Sequence, residues 1–393
     1  MKNSVHNSIL VFVCKKKYFI SLLLITLMSG LILSCQENSN PLAYPNNDKL
    51  ISIFEHLTDS LITNSKTPGL IAAVWAPDQN LTWVKAKGKS NVATSELMKD
   101  DMKFRMGSVT KTFTYTVLLQ LVDSGKVSLE DKITKFLPAY TKWNNITIRM
   151  ICNHSSGIYN YTDKSPTLAG PVKANPMKIW QQQELVDIAY PAPLYFIPGS
   201  AHHYSNTNTI IAGMIIEKLT GNTFPYELKK RILEPLKLYN TAYPADNFMW
   251  GNYSHGYSWG ENESPLPDVT EAFNPSYSGF AGAMISDIYD LKTWVQVLVK
   301  GSLISSSLQT ERLNAISASE ISGYGLGIAN LGTTNGKKLW GHAGTIFGFK
   351  TLAYYWPEKN ITFILMFNNA SFDPTMILVE FFDKTMKFIE GKL

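Results

Sequence analysis

The sequence predicts an α/β fold in which an antiparallel sheet is flanked by the two terminal helices and carries an inserted all-helical lobe. Three observations predict it. A helical pattern followed by a pair of short apolar runs opens the body of the chain, a similar pair followed by a helical pattern closes it, and the stretch between is mostly helical in spacing. Joining both hairpins in one sheet lets the terminal helices share one of its faces, because apolar sheet faces and helix stripes must bury each other.

The opening helix runs from Asp48 to Ser65, with Leu50, Ile53, Phe54, Leu57 and Leu61 at helical spacing. Strands follow at Leu70 to Trp75 and Leu81 to Ala86, split by the turn-forming Ala76-Pro77-Asp78-Gln79-Asn80. The closing strands are Lys350 to Trp356 and Ile361 to Phe367, split by Pro357-Glu358-Lys359-Asn360. After them Ile377, Leu378, Phe381, Phe382, Met386 and Phe388 mark the closing helix. Helical pieces are expected between the hairpins at Ser128 to Leu137, Thr147 to Asn153, Ile179 to Tyr190 and Asn208 to Thr220, the last stopped by Gly221. Residues 48–393 thus divide into an α/β lobe (48–107 and 250–393) and a helical lobe (108–249). A cleft where two lobes meet is the default place for chemistry.

Residues 1–34 read as a targeting segment: Lys2, Lys15, Lys16 and Lys17 with no acid, then the apolar run Tyr18 to Leu33. Ile32-Leu33-Ser34-Cys35 resembles the lipobox of bacterial lipoproteins, which implies lipidation at Cys35 and a membrane-anchored body facing the periplasm or cell exterior. An uncleaved anchor is the alternative, although the run is slightly short for a span. Residues 35–47 are polar and proline-bearing, as suits a tether. If Cys35 is lipidated and Cys14 removed, Cys152 is the remaining thiol, and no intramolecular disulfide can form.

The 393 residues are 45% hydrophobic and 17% charged, an ordinary globular balance with enough apolar material for a large core. The net charge of +5 is concentrated in the four lysines of residues 1–34; without them 32 basic residues face 31 acidic ones. A nearly neutral body without a basic cluster argues against nucleic acid as a partner.

Met106-Gly107-Ser108-Val109-Thr110-Lys111-Thr112-Phe113 places a hydroxyl and an ammonium three residues apart, ahead of the apolar run Phe113 to Val122. Residues three apart share a helix face, so Lys111 is directed back at Ser108 and can activate it without histidine. The apolar surroundings predict burial, which lowers the pKa of Lys111 and makes it the first choice for the base. Ser108 itself gains from the unpaired N–H groups of a helix N-terminus. A Ser-x-x-Lys pattern alone is frequent. Followed in order by Tyr204-Ser205-Asn206 and Gly341-His342-Ala343-Gly344-Thr345, it becomes specific.

With these three motifs the chain resembles the penicillin-recognising serine hydrolases, the superfamily of class C β-lactamases, D-Ala-D-Ala carboxypeptidases, D-aminopeptidases and related esterases. The likeness runs from about residue 50 to 370 through Leu119 to Lys126, Asn153-His154-Ser155-Ser156-Gly157, Ala212 to Gly221, Ala281 to Ser286 and Tyr324-Gly325-Leu326-Gly327. His342 in the third motif is most similar to the serine D-Ala-D-Ala carboxypeptidase branch. Ser108 is then the nucleophile and its N–H one oxyanion donor. The resemblance implies Thr345 N–H as the second donor and Tyr204 as a proton relay, with the choice of base between Lys111 and Tyr204 left open. It also implies that Asn206 contacts Lys111 and the substrate carbonyl, that His342 hydrogen-bonds Tyr204, that Gly344 permits close approach, and that Tyr277 lines the pocket. No metal or organic cofactor is implied. His154 reads as structural, and the adjacent His202 and His203 lack metal-ligand spacing.

Two departures bear on the substrate. Ala329 stands where carboxypeptidases of this branch place an arginine that pairs with the substrate carboxylate, and Ala343 stands where relatives usually have Thr. Both changes weaken recognition of a free C-terminus. The expected function is a serine hydrolase acting through an acyl-enzyme on D-amino-acid peptides or related amide and ester bonds. The alternatives are a class C-like β-lactamase or esterase, and a non-catalytic protein that binds penicillin or peptidoglycan.

Overall fold

Eight strands form one antiparallel sheet: β1 (Gly69–Ala76), β2 (Leu81–Asn91), β3 (Glu96–Leu97), β4 (Gly323–Tyr324), β5 (Ala329–Gly332), β6 (Lys338–Ile346), β7 (Phe349–Trp356) and β8 (Ile361–Phe367), in the order β3-β2-β1-β8-β7-β6-β5-β4. The computed structural model describes residues 47–393 apart from 65–66, 164–171, 173, 258–265, 319–321, 333–335 and 372. The targeting segment, Cys35 and the tether up to residue 46 lie outside the described residues. Among those described, no helix is long and apolar enough to cross a membrane.

The two hairpins read from the sequence are β1-β2 and β7-β8. Each turns through a short 3₁₀ segment that begins with proline, Pro77 or Pro357, and ends on an asparagine in the left-handed region, Asn80 at φ 49° and Asn360 at φ 54°. Proline presets the first turn angle and asparagine tolerates the last. They join in one sheet through β1 and β8, with Leu70 opposite Phe367 and Ala72 opposite Leu365.

Side chains alternate across a strand, and both faces here are covered. From β1, Leu70, Ala72 and Val74 pack with the terminal helices α1 (Asp48–Asn64) and α7 (Thr375–Ile389). Ile71, Ala73 and Trp75 belong to the core on the other face. Phe54 of α1, Trp83 of β2 and Phe381 of α7 meet at ring-centroid separations of 4.9 to 5.7 Å.

The opposite core surrounds α2 (Thr110–Asp123), which is buried on nearly every side. It packs with α5 (Asn206–Thr220), which in turn contacts α3 (Ile148–Cys152) and α4 (Gln182–Ala189). Phe113 stacks on Trp294 of α6 (Ile288–Lys300) at 3.8 Å, and the Trp294 indole donates to Thr112 Oγ1 at 2.8 Å. The buried threonines of α2 are satisfied within the helix or across it: Thr116 donates to Thr112 O and Thr114 to Phe280 O. Gly221, at φ 70°, stops α5 as its sequence predicts.

One expected helix is absent. Residues 128–137 form turns and a single 3₁₀ segment, Ile133–Lys135, because their backbone groups pair with a distant segment. Ile133 N–H donates to Ile146 O, while Asp131 O and Leu129 O accept from Ile148 and Arg149.

Candidate active site

Ser108 sits in a 3₁₀ turn, Gly107–Val109, that leads directly into α2. The turn is tied down from outside: Met106 N–H donates to Met284 O, and Met284 N–H donates to Thr110 Oγ1. One turn into the helix, Lys111 reaches back as its spacing predicts, with Nζ 2.9 Å from Ser108 Oγ and 2.7 Å from Ala281 O. Lys111 is wholly buried, and this desolvation pushes its pKa well below the ordinary value. A neutral amine beside a hydroxyl is a competent proton acceptor.

The second motif supplies Tyr204, whose ring centroid lies 4.9 Å from Lys111 Nζ and 4.5 Å from the His154 ring. His154 Nδ1 accepts from Ser205 N–H at 3.3 Å and engages the Asn208 amide at 3.0 Å, so it fixes the start of α5 immediately after Tyr204. Its reading as structural is consistent with these contacts. Asn206 is arranged differently from expectation. Its amide nitrogen donates to Thr162 Oγ1 at 2.9 Å, and the second hold on Lys111 is the Ala281 carbonyl.

The third motif lies on β6. Glycine is required on both sides where this strand meets the nucleophile turn. A Cβ on Gly107, which has φ +50°, would lie 2.7 Å from Thr345 N, and one on Gly344 would lie 2.1 Å from Met106 O and 2.8 Å from Ser108 N. The backbone nitrogens of Ser108 and Thr345 therefore border one small region at the head of the nucleophile. Pairing with β5 ends at Gly341, so His342 to Ile346 are paired to β7 alone and leave the other edge of the strand to that region.

His342 corrects a second expectation. Its Nε2 hydrogen-bonds Tyr324 at 2.9 Å and its Nδ1 contacts Ala343 O, while its ring stands 6.1 Å from that of Tyr204. Burial pushes its pKa down to about 3, so it is neutral at ordinary pH.

Ser108, Tyr204, His342, Ala343, Gly344, Thr345 and Ala329 line a single cleft of about 250 Å³, together with His202, Tyr324 and Tyr354. Both departures from the carboxypeptidase pattern thus fall on its wall. Tyr277, expected to line the pocket, is not among these lining residues: its ring packs on Phe347 at 4.6 Å and its carbonyl accepts from Tyr161 at 2.9 Å. Sequence reasoning missed Tyr324 and His202. Tyr324 opens a run that carries the family likeness and His202 precedes Tyr204 by two residues, but neither position signals that it faces the cleft.

A family model described as beta-lactamase matches residues 53–378. The chain is 26% identical over 321 residues to a D-aminopeptidase of Brucella anthropi, covering 81% of this chain and 59% of that protein. It is also 26% identical over 244 residues to a beta-lactamase of Escherichia coli K12, covering 61% and 59%. It therefore spans about six-tenths of the length of these relatives. Among solved structures, a D-stereospecific amidohydrolase from Streptomyces sp. superposes with a TM-score of 0.75 at 32% identity, over 83% of this chain and 97% of that one. A D-amino acid amidase from Ochrobactrum anthropi SV3, complexed with L-phenylalanine amide, gives 0.75 at 25% identity over 87% and 99%.

Proposed function

The chain belongs to the beta-lactamase family, and from that premise we propose that it is a serine hydrolase forming an acyl-enzyme on Ser108, with amides or peptides of D-amino acids as substrates. The observation that carries the reading is the fully buried Lys111 amine 2.9 Å from Ser108 Oγ. D-amino-acid substrates are supported by the D-aminopeptidase and D-amino acid amidase similarities.

In acylation, Lys111 takes the Ser108 proton as Oγ attacks the carbonyl carbon. The carbonyl oxygen becomes an oxyanion between the N–H groups of Ser108 and Thr345, an interaction worth about 10²–10³ in rate per donor. Collapse breaks the bond to the departing nitrogen, which receives the proton from Lys111 through the Tyr204 hydroxyl. Water then repeats the sequence against the acyl-enzyme, and Ser108 regains its proton. Neutral His342 holds Tyr324 and adds no charge to the cleft. With Ala329 and Ala343 on its wall, the cleft offers no cation at these positions to a substrate carboxylate, which favours departing halves without one.

The test is labelling with fluorescent penicillin and a fluorophosphonate in the wild type and Ser108→Ala, alongside turnover of a D-amino-acid amide. Labelling that depends on Ser108 is expected; its absence with both reagents refutes the mechanism. Steady turnover of a cephalosporin in place of the amide would transfer the assignment to a β-lactamase. We also propose that the protein is exported and held at the membrane through Cys35, on the support of the sequence of residues 1–35.

A further inference from the structure

His202 forms part of the cleft wall with Ser108, Tyr204, Ala329 and Ala343. Its Nε2 is closed in without a hydrogen-bond partner, and neither ring nitrogen bonds a described residue. Neighbouring polar groups are committed: the Tyr324 hydroxyl to His342 Nε2, and His342 Nδ1 to Ala343 O.

The position of His202 assigns it to one half of the substrate. A departing nitrogen must be protonated as it leaves, so it lies on the Tyr204 side of Ser108. Tyr204 packs there against Tyr324 and Ala329, and the His202 ring stands 5.9 Å from that of Tyr324. We infer that His202 selects the departing half of the substrate by hydrogen-bonding an uncharged polar group on it, a carboxamide in preference to a carboxylate. This rests on the D-amino-acid reading above.

The chemistry follows from the wall. Burial and the neighbouring His203 lower the His202 pKa, so the imidazole is neutral, with one donor and one acceptor nitrogen. A carboxamide, which carries both a donor and an acceptor, can meet a single ring nitrogen in either tautomer. A carboxylate can only accept, so it meets the ring in one tautomer alone, and in a half-enclosed cleft walled by Ala329 and Ala343 it loses hydration without gaining a cation.

The experiment compares two substrates with the same acyl half, D-alanyl-D-alaninamide and D-alanyl-D-alanine, in the wild type, His202→Phe and His202→Gln. The readout is the ratio of their kcat/KM values. His202→Phe is expected to lower the ratio about tenfold through KM on the carboxamide, the size of one lost hydrogen bond. His202→Gln, which keeps a donor and an acceptor, is expected to recover most of it. Fluorophosphonate labelling of Ser108 reports that each variant is folded, and His202→Leu replaces the Phe variant if that fails to label. An unchanged ratio overturns the inference alone, as does an equal fall in kcat on both substrates, which marks a structural role. Turnover of neither substrate by the wild type overturns the D-amino-acid reading, and this inference with it.

Discussion

Gly344→Ala adds one methyl group at the point where strand and nucleophile meet. The new Cβ would lie 2.1 Å from Met106 O, 2.8 Å from Ser108 N and 3.0 Å from Val109 N, whereas ordinary contact begins near 3.4 Å. Two of the three clashes are with the turn that carries Ser108 and none of the contacting atoms belongs to a flexible side chain, so strand and turn must separate by more than 1 Å at Met106. A displacement of about 1 Å at a reacting centre costs about 10²-fold, and loss of one oxyanion donor costs about 10²–10³. The expected result is a fall in kcat of about 10²–10³ on a D-amino-acid amide, with KM changed far less. Overpacking should also remove about 1–3 kcal/mol of stability, read from urea unfolding. Initial rates normalised to fluorophosphonate-titrated sites separate slower chemistry from lost protein. A kcat within fivefold of wild type refutes the argument that Ser108 N and Thr345 N share one region.

Three further outcomes are expected. Lys111→Met removes the base and lowers kcat by about 10²–10⁴, yet it raises the urea midpoint at pH 7. Between its lowered pKa in the fold and the ordinary value near 10.5, Lys111 is neutral in the fold while the unfolded chain binds the proton. Wild-type stability therefore rises with pH across that window and the advantage of Met shrinks toward its upper end; a lower midpoint for Met at pH 7 contradicts the desolvation argument. For the same reason wild-type kcat/KM falls as pH drops through the lowered Lys111 pKa, a limb that the variant should lack. Ala329→Arg should raise kcat/KM on D-alanyl-D-alanine relative to its amide, about tenfold if the guanidinium reaches the carboxylate, and no change counts against the role given to Ala329. Cys35→Ser should release the protein from the membrane fraction, and unchanged retention favours an uncleaved anchor.

The hairpins and terminal helices were legible because their signals are local: proline and asparagine at the turns, an unbroken apolar run in β1, helical spacing in α1 and α7. Ser108, Lys111 and the Gly344-Thr345 pair were legible for a related reason, since chemistry at a helix start and at a glycine-flanked strand leaves short fixed patterns. What failed was non-local. Residues 128–137 have helical spacing, but their backbone groups pair with residues 146–149, and no propensity within the segment announces that ladder. The partner of His342 is Tyr324, 18 residues earlier on a different strand. Lys111 is held by Ala281 O, a main-chain atom with no side-chain identity to read. Asn206 was assigned by motif, and its amide turned to Thr162 because that hydroxyl is within hydrogen-bond reach.

The pairing of α1 with α7 has a practical meaning. Both helices back the face of the sheet opposite α2, so the first and last described segments of the chain belong to one layer. A linker ahead of Asp48 or a fusion after Leu393 therefore joins the layer of Phe54, Trp83 and Phe381, whereas Met106 and Val109 beside Ser108 pack in the core on the other face. Attachment to beads, vesicles or an electrode just ahead of Asp48 or just after Leu393 thus meets the layer opposite the one that packs beside the Ser108 turn.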